Sequence, residues 1–309
     1  MELNNNKKAM IEAAFIATIS SFFGISVIYI PVLTILLFLL PVPLIVLAVR
    51  QGTKYTVLAL IITSLIIGIL TEVVFTFFLI IIFGPVALIM GYYIKKKQEP
   101  FKTIGIGTTV SALTTFISIL TISAIVEFNF ADLIGETFRS VVEHQSEMFT
   151  SMNVSITSLN EIIDYLTIIL PGLLIVHSMV ITFINYYVSI AILRRLRFQA
   201  YKLPRFRHFK LPSNIILGSF ILFILTYLTR FVAGINYEGL YENIKILFLF
   251  VFYLQGIAFM RYMISKVSIP EFARVLIIVL LIIISPLLTL ISLIGLIDSV
   301  FDIRKLREE

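Results

Sequence analysis

The chain has no cysteine, no tryptophan and only three histidines in 309 residues. Without thiols it has no disulfide framework, no thiolate metal cage, no cysteine nucleophile and no site for thioester or thioether lipid attachment. Charge is scarce as well: Asp, Glu, Lys and Arg make up 14% of the sequence, against 59% hydrophobic residues. That is more apolar surface than one soluble core of this length can bury, which excludes a soluble globular domain. Enzyme signatures are missing too, with no phosphate-binding GxxxxGK, no HExxH, no GxSxG and no glycine-rich dinucleotide fingerprint. The expectation is therefore a protein that is not an enzyme and carries neither cofactor nor metal.

What the chain does have is a series of apolar runs. Stretches of about 17 to 25 apolar residues, enough to cross a roughly 30 Å hydrocarbon layer as helix, recur from residue 9 almost to the end. They lack the period-two alternation of a barrel strand. Membrane segments are expected at about 9–30, 32–49, 55–71, 74–94, 103–126, 164–193, 212–232 and 243–263, and a final run at 272–297 is interrupted by Ser285 and Pro286. The fold class is all-α: a polytopic transmembrane helical bundle of eight to nine membrane segments, forming one integral membrane domain over 1–309. The first segment has a basic start but is too long for a secretory leader and shows no cleavage site, so it is expected to be retained.

Lys and Arg cluster at 7–8, 50–54, 95–102, 194–210 and 261–274, in alternate loops. The intervening loops are acidic. This is the positive-inside pattern and places the N-terminus in the cytoplasm. Residues 194 to 210 read RRLRFQAYKLPRFRHFK, with seven basic residues, four aromatics and no acid. In a soluble protein such a run would suggest a nucleic-acid groove. Inside the cytoplasmic loop 194–211 it reads instead as an anchor on anionic lipid headgroups or a docking point for a partner, carried by Arg194, Arg195, Arg197, Lys202, Arg205, Arg207 and Lys210, with no nucleic acid involved. At the C-terminus, eight crossings followed by a straight ninth would leave Arg304, Lys305 and Arg307 outside. A re-entrant pair broken at Ser285-Pro286 would keep the tail inside, and a cytoplasmic tail is expected.

Outside, the polar stretch 127–163 contains Leu133, Ile134, Phe138, Val141, Val142, Met148, Phe149 and Met152 at three-to-four-residue spacing. It is expected to form an amphipathic helix that lies on the outer face or covers the mouth of the bundle. Glu143, His144 and Glu147 have a spacing common on polar helix faces and are not taken as a metal site. Within the apolar segments, His177, Asn185 and Gln255 are candidate ligand-binding residues; the alternative is interhelical hydrogen bonding. In the first segment, Ala9, Ala13, Ala17 and Ser21 form a strip of small residues that allows close helix approach, either within the chain or to a partner helix.

That strip, followed by LPVPLIVLAVRQGTKYTVLALIITSLIIG at 40–68 and IGLIDSVFDIRK at 294–305, resembles the YybS-like family of uncharacterised bacterial membrane proteins over essentially the whole chain. That family is similar, in its first five or six helices, to the S subunits of energy-coupling factor transporters. The resemblance implies a bacterial plasma-membrane location, an S-component-like N-terminal part with extra C-terminal helices, and docking of the small-residue strip on a membrane coupling subunit driven by ATPases. Two readings of function follow from the residues and the resemblance together. One is a small-molecule-binding and transport subunit; the other is a non-transporting scaffold or regulator that recruits a signalling or cell-envelope partner.

Overall fold

The computed structural model describes residues 2–126, 129–151, 155–198, 206–283 and 287–305. Helices follow one another without a strand among them: α1 (Glu2–Tyr29), a 3-10 helix (Pro31–Leu39), α2 (Pro41–Gln51), α3 (Thr53–Leu70), α4 (Val73–Phe78), a π-helix (Leu79–Phe83), α5 (Gly84–Lys95) and α6 (Pro100–Val126). Then come α7 (Phe130–His144), α8 (Ser146–Ser151), α9 (Ile156–Arg195), α10 (Ser213–Leu228), α11 (Tyr237–Ser265), α12 (Glu271–Ile283) and α13 (Leu287–Phe301). The all-α bundle expected from the apolar runs is what forms.

Six of these helices are long and apolar enough to cross a membrane, and α12 with α13 makes a seventh candidate if the bent pair counts as one span. The expected second and fourth segments are not unbroken spans. Pro31 and Pro41 each open a helix at its first turn, where a missing N–H costs least, so the second segment divides into 3-10 and α parts. In the fourth, Pro85 sits in the first turn of α5 and denies a donor to the carbonyls before it, and the turn preceding it widens into the π-helix.

The chain divides into two compact units, Met1–Phe130 with His177–Leu203 and Ala131–Val176 with Pro204–Glu309. In the first, α1 packs on α3 and α2 on α5. Ala13 and Ala17 sit in one apolar core with Leu44, Leu47, Met90, Tyr186 and Leu193. Ala9, Ala13, Ala17 and Ser21 are all buried, and the Thr63 hydroxyl donates to the Ala17 carbonyl at 3.4 Å. The strip of small residues is thus a seam inside the chain, and its expected docking on a partner helix is corrected: α3 and the core already occupy it. The opposite face of α1, with Met10, Ile11, Phe15 and Phe22, is the exposed one. Basic clusters gather at one end of this unit. Glu12 accepts from Arg50 at 2.6 Å and from Gln51 at 2.6 Å, Tyr55 donates to Asn6, and Lys95 lies beside Gly52.

In the second unit, Gly135 of α7 lies beside Thr167 of α9 and Arg139 pairs with Asp164. Leu133, Phe138 and Val141 stay exposed. Phe220, Phe223, Phe248 and Phe252 form an aromatic seam between α10 and α11. Against α11 lies α13, so close that a Cβ on Gly256 would strike the Ile291 carbonyl and one on Gly295 the Phe252 carbonyl. Their contacts advance together, Ser292 donating to the Leu249 carbonyl and Gln255 to Asp298, so the two helices run in the same sense. The axis turns by 110° between α12 and α13, across Ser285 and Pro286, which lie outside the described residues. With 13 and 15 residues, each limb is roughly 20 Å long and neither crosses alone.

The end of α13 is fastened to the basic loop. Arg304, 4% exposed, pairs with Asp298 at 2.8 Å and donates to the carbonyls of Arg207 and Phe209, both at 2.8 Å. Lys210 pairs with Asp302 at 2.5 Å, and Gln255 bridges Asp298 and the Leu211 N–H. Loop and tail therefore share one face of this unit.

Two expected outcomes follow from this packing. Ala13→Leu or Ala17→Leu overfills a closed seam and lowers stability by about 1–3 kcal/mol, or blocks folding; an unchanged thermal midpoint in detergent would show that the seam is open. Because the chain is free of cysteine, His208→Cys and Lys305→Cys can each be probed alone in sealed vesicles. Both should react with an impermeant maleimide from the same side, and labelling from opposite sides would contradict the shared face.

Candidate functional site

A cavity of about 410 Å³ opens in the first unit where the two irregular helices meet. Thr34, Leu37 and Phe38 of the 3-10 helix form one wall with Pro41, and Ile82 and Phe83 of the π-helix with Val86 form another. Ser111 and Thr115 of α6 and His177 and Ile181 of α9 complete it. The volume falls within the range of ordinary ligand pockets, and non-α backbone at membrane depth is tolerated where it lines a cavity. His177 remains exposed and, among the described residues, is the only titratable side chain in the lining.

Asn185 shapes the cavity without reaching it. A 3-10 helix continued through Pro41 would need that residue's N–H for the Phe38 carbonyl, and proline has none. Asn185, fully buried, supplies the donor: its Nδ2 lies 2.8 Å from the Phe38 carbonyl and 2.8 Å from that of Ile181. The wall residues Phe38 and Ile181 are thereby held against each other.

Of the three candidate ligand residues, only His177 lines the cavity. Asn185 ties its walls together, and Gln255 is not a ligand residue in this structure: both ends of its amide are bonded, to Leu211 and to Asp298. Of the basic loop, Arg194, Arg195 and Arg197 are exposed, Arg207 and Lys210 belong to the fastening of the tail, and Lys202 and Arg205 lie outside the described residues. Among the described residues no three His, Asp or Glu side chains converge as metal ligands.

One residue escaped the sequence reading. Asn243 accepts from the Gly172 N–H at 2.5 Å and donates to the Ile168 carbonyl at 2.8 Å, bracketing Pro171 inside α9. Beside it, Tyr165 and Lys245 both donate to Glu242. Asparagine near an acidic loop reads as a surface residue; only Pro171-Gly172 in a long apolar helix signalled that a donor and acceptor were needed nearby.

A bundle of long apolar helices, broken by proline and closed by buried amides, defines a multi-pass helical membrane protein. The chain belongs to the family described as "Predicted membrane protein (DUF2232)", whose model matches residues 18–299. It is 23% identical over 305 residues to the Bacillus subtilis (strain 168) protein described as "Uncharacterized protein YybS", covering 96% of this chain and 97% of that one. Both findings agree with the family resemblance in the residues. No solved structure matches the chain.

The amide at 185 yields a stability prediction. Asn185→Leu strands the Phe38 carbonyl in an apolar wall and costs about 1–3 kcal/mol. Asn185→His, which keeps a donor, should lose less. Equal thermal midpoints for wild type and Asn185→Leu would remove the residue from the scaffold of the cavity.

Proposed function

We propose that the protein is a non-enzymatic small-molecule-binding subunit of a bacterial plasma membrane, with its N-terminus in the cytoplasm. The observation that carries this reading is the cavity itself. Two departures from α-helical geometry, each at a proline, meet at one place and are lined by hydroxyls and an imidazole on an otherwise apolar surface. Polar groups and irregular backbone inside a membrane protein mark a ligand path more often than a lipid-facing wall. The cytoplasmic N-terminus is supported by the gathering of Lys7, Lys8, Arg50, Lys54 and Lys95 around one end of the first unit. Transport through such a subunit needs energy from partners, because no nucleotide-binding motif is present in the chain.

The test is native mass spectrometry of protein released gently from membranes. A small molecule should leave the wild type on denaturation, and His177→Leu should keep its thermal midpoint while retaining at least tenfold less of that molecule. Equal retention by the variant would overturn the role of His177. Wild-type protein without any bound molecule, under conditions that preserve its fold, would count against the binding function and favour a scaffold.

A further inference from the structure

A second cavity, of about 270 Å³, adjoins the first. Leu37, Ile82 and Phe83 line both and, among the described residues, form the common wall. The two compartments differ in chemistry. The second is bounded by Gly24, Ile28, Ile67 and Leu79 besides the shared wall and presents no polar side chain. Every polar side chain is in the first: Thr34, Ser111, Thr115 and His177. Thr34 is committed, its hydroxyl donating to the Val27 carbonyl. Among the described residues, Ser111, Thr115 and His177 have no side-chain hydrogen bond. Among the described residues, no Asp, Glu, Lys or Arg lines either compartment.

Resting on the binding function proposed above, we infer that the ligand is an uncharged amphiphile. Its hydroxyl- or carbonyl-bearing head bonds His177, Ser111 and Thr115 in the first cavity, and its hydrocarbon tail passes Phe83 into the second. A cationic head would meet no carboxylate here and an anionic one no Lys or Arg, and burying a poorly paired charge in such walls is costly. A compact polar metabolite would leave the second cavity empty, whereas a chain fills it and gains contact with every residue of an entirely apolar lining. The shared wall is irregular backbone, Leu37 from the 3-10 helix and Ile82 and Phe83 from the π-helix, a form found frequently at functional sites. Such a ligand comes from the bilayer itself, since a molecule of that class partitions into it.

The experiment uses the full-length protein in phosphatidylcholine nanodiscs with two photoreactive alcohols. One is a short alcohol with its diazirine next to the hydroxyl; the other is a straight-chain decanol with the diazirine at its far end. The short probe should label the peptides carrying Ser111, Thr115 or Ile181. The long probe should label those carrying Gly24, Ile28, Ile67 or Leu79, at several times the level on exposed α1 residues such as Phe15 and Phe22. Ile28→Phe, which fills the second cavity, should cut labelling by the long probe severalfold and leave the short probe unaffected. If the short probe labels the first cavity while the long one marks only lipid-facing residues, the amphiphile is excluded and the binding function stands. If the short probe leaves the first cavity unlabelled and the long one the second, both readings fall.

Discussion

Hydrocarbon holds no water to bond a stranded peptide group, and this constraint organises the molecule. At several places where regular backbone pairing is broken, a polar side chain from another segment closes the gap. Pro41 leaves the Phe38 carbonyl unmet, and Asn185 donates to it. Pro171 interrupts α9, and Asn243 bonds on both sides of the gap. The loop entering α10 turns its Leu211 N–H to Gln255, and the Arg207 and Phe209 carbonyls to Arg304. Four side chains thus permit a backbone that is far from a set of straight rods. Of the irregular stretches they permit, the 3-10 stretch that Asn185 closes is the one that lines the larger cavity.

The same constraint explains which parts of the structure were legible in the sequence. Apolar runs and charge clusters report local composition, so the helical bundle and the collection of basic residues at one end of the first unit could be read directly. Asn185, Gln255 and His177 stood out as polar residues at depth, but whether such a group serves the scaffold or a ligand depends on what lies opposite. For Asn185 that is a carbonyl 147 positions away in the chain. The strip from Ala9 to Ser21 announced a close approach without naming the approaching surface, which proved to be α3 and the core. The charges of the tail say little of its geometry, which follows from pairing: Asp298 and Asp302 each hold a specific base. Proline marked the breaks in the second and fourth segments, but the 3-10 and π forms that replace straight helix depend on neighbours that supply or withhold donors.

The repairs also impose an order on how the chain is made. Asn185 lies 147 residues after the carbonyl it satisfies, and Asn243 lies 71 after the N–H it accepts from. A ribosome delivers the broken helices well before the side chains that complete them. Until then the Phe38 carbonyl has no Asn185 to donate to it and the Gly172 N–H no Asn243 to accept from it. The early bundle is therefore a draft that becomes its final structure only when α9 arrives, and the first half of α9 in turn waits for α11. A protein built this way matures from its late helices backwards, and its length is part of what allows its irregular interior to exist.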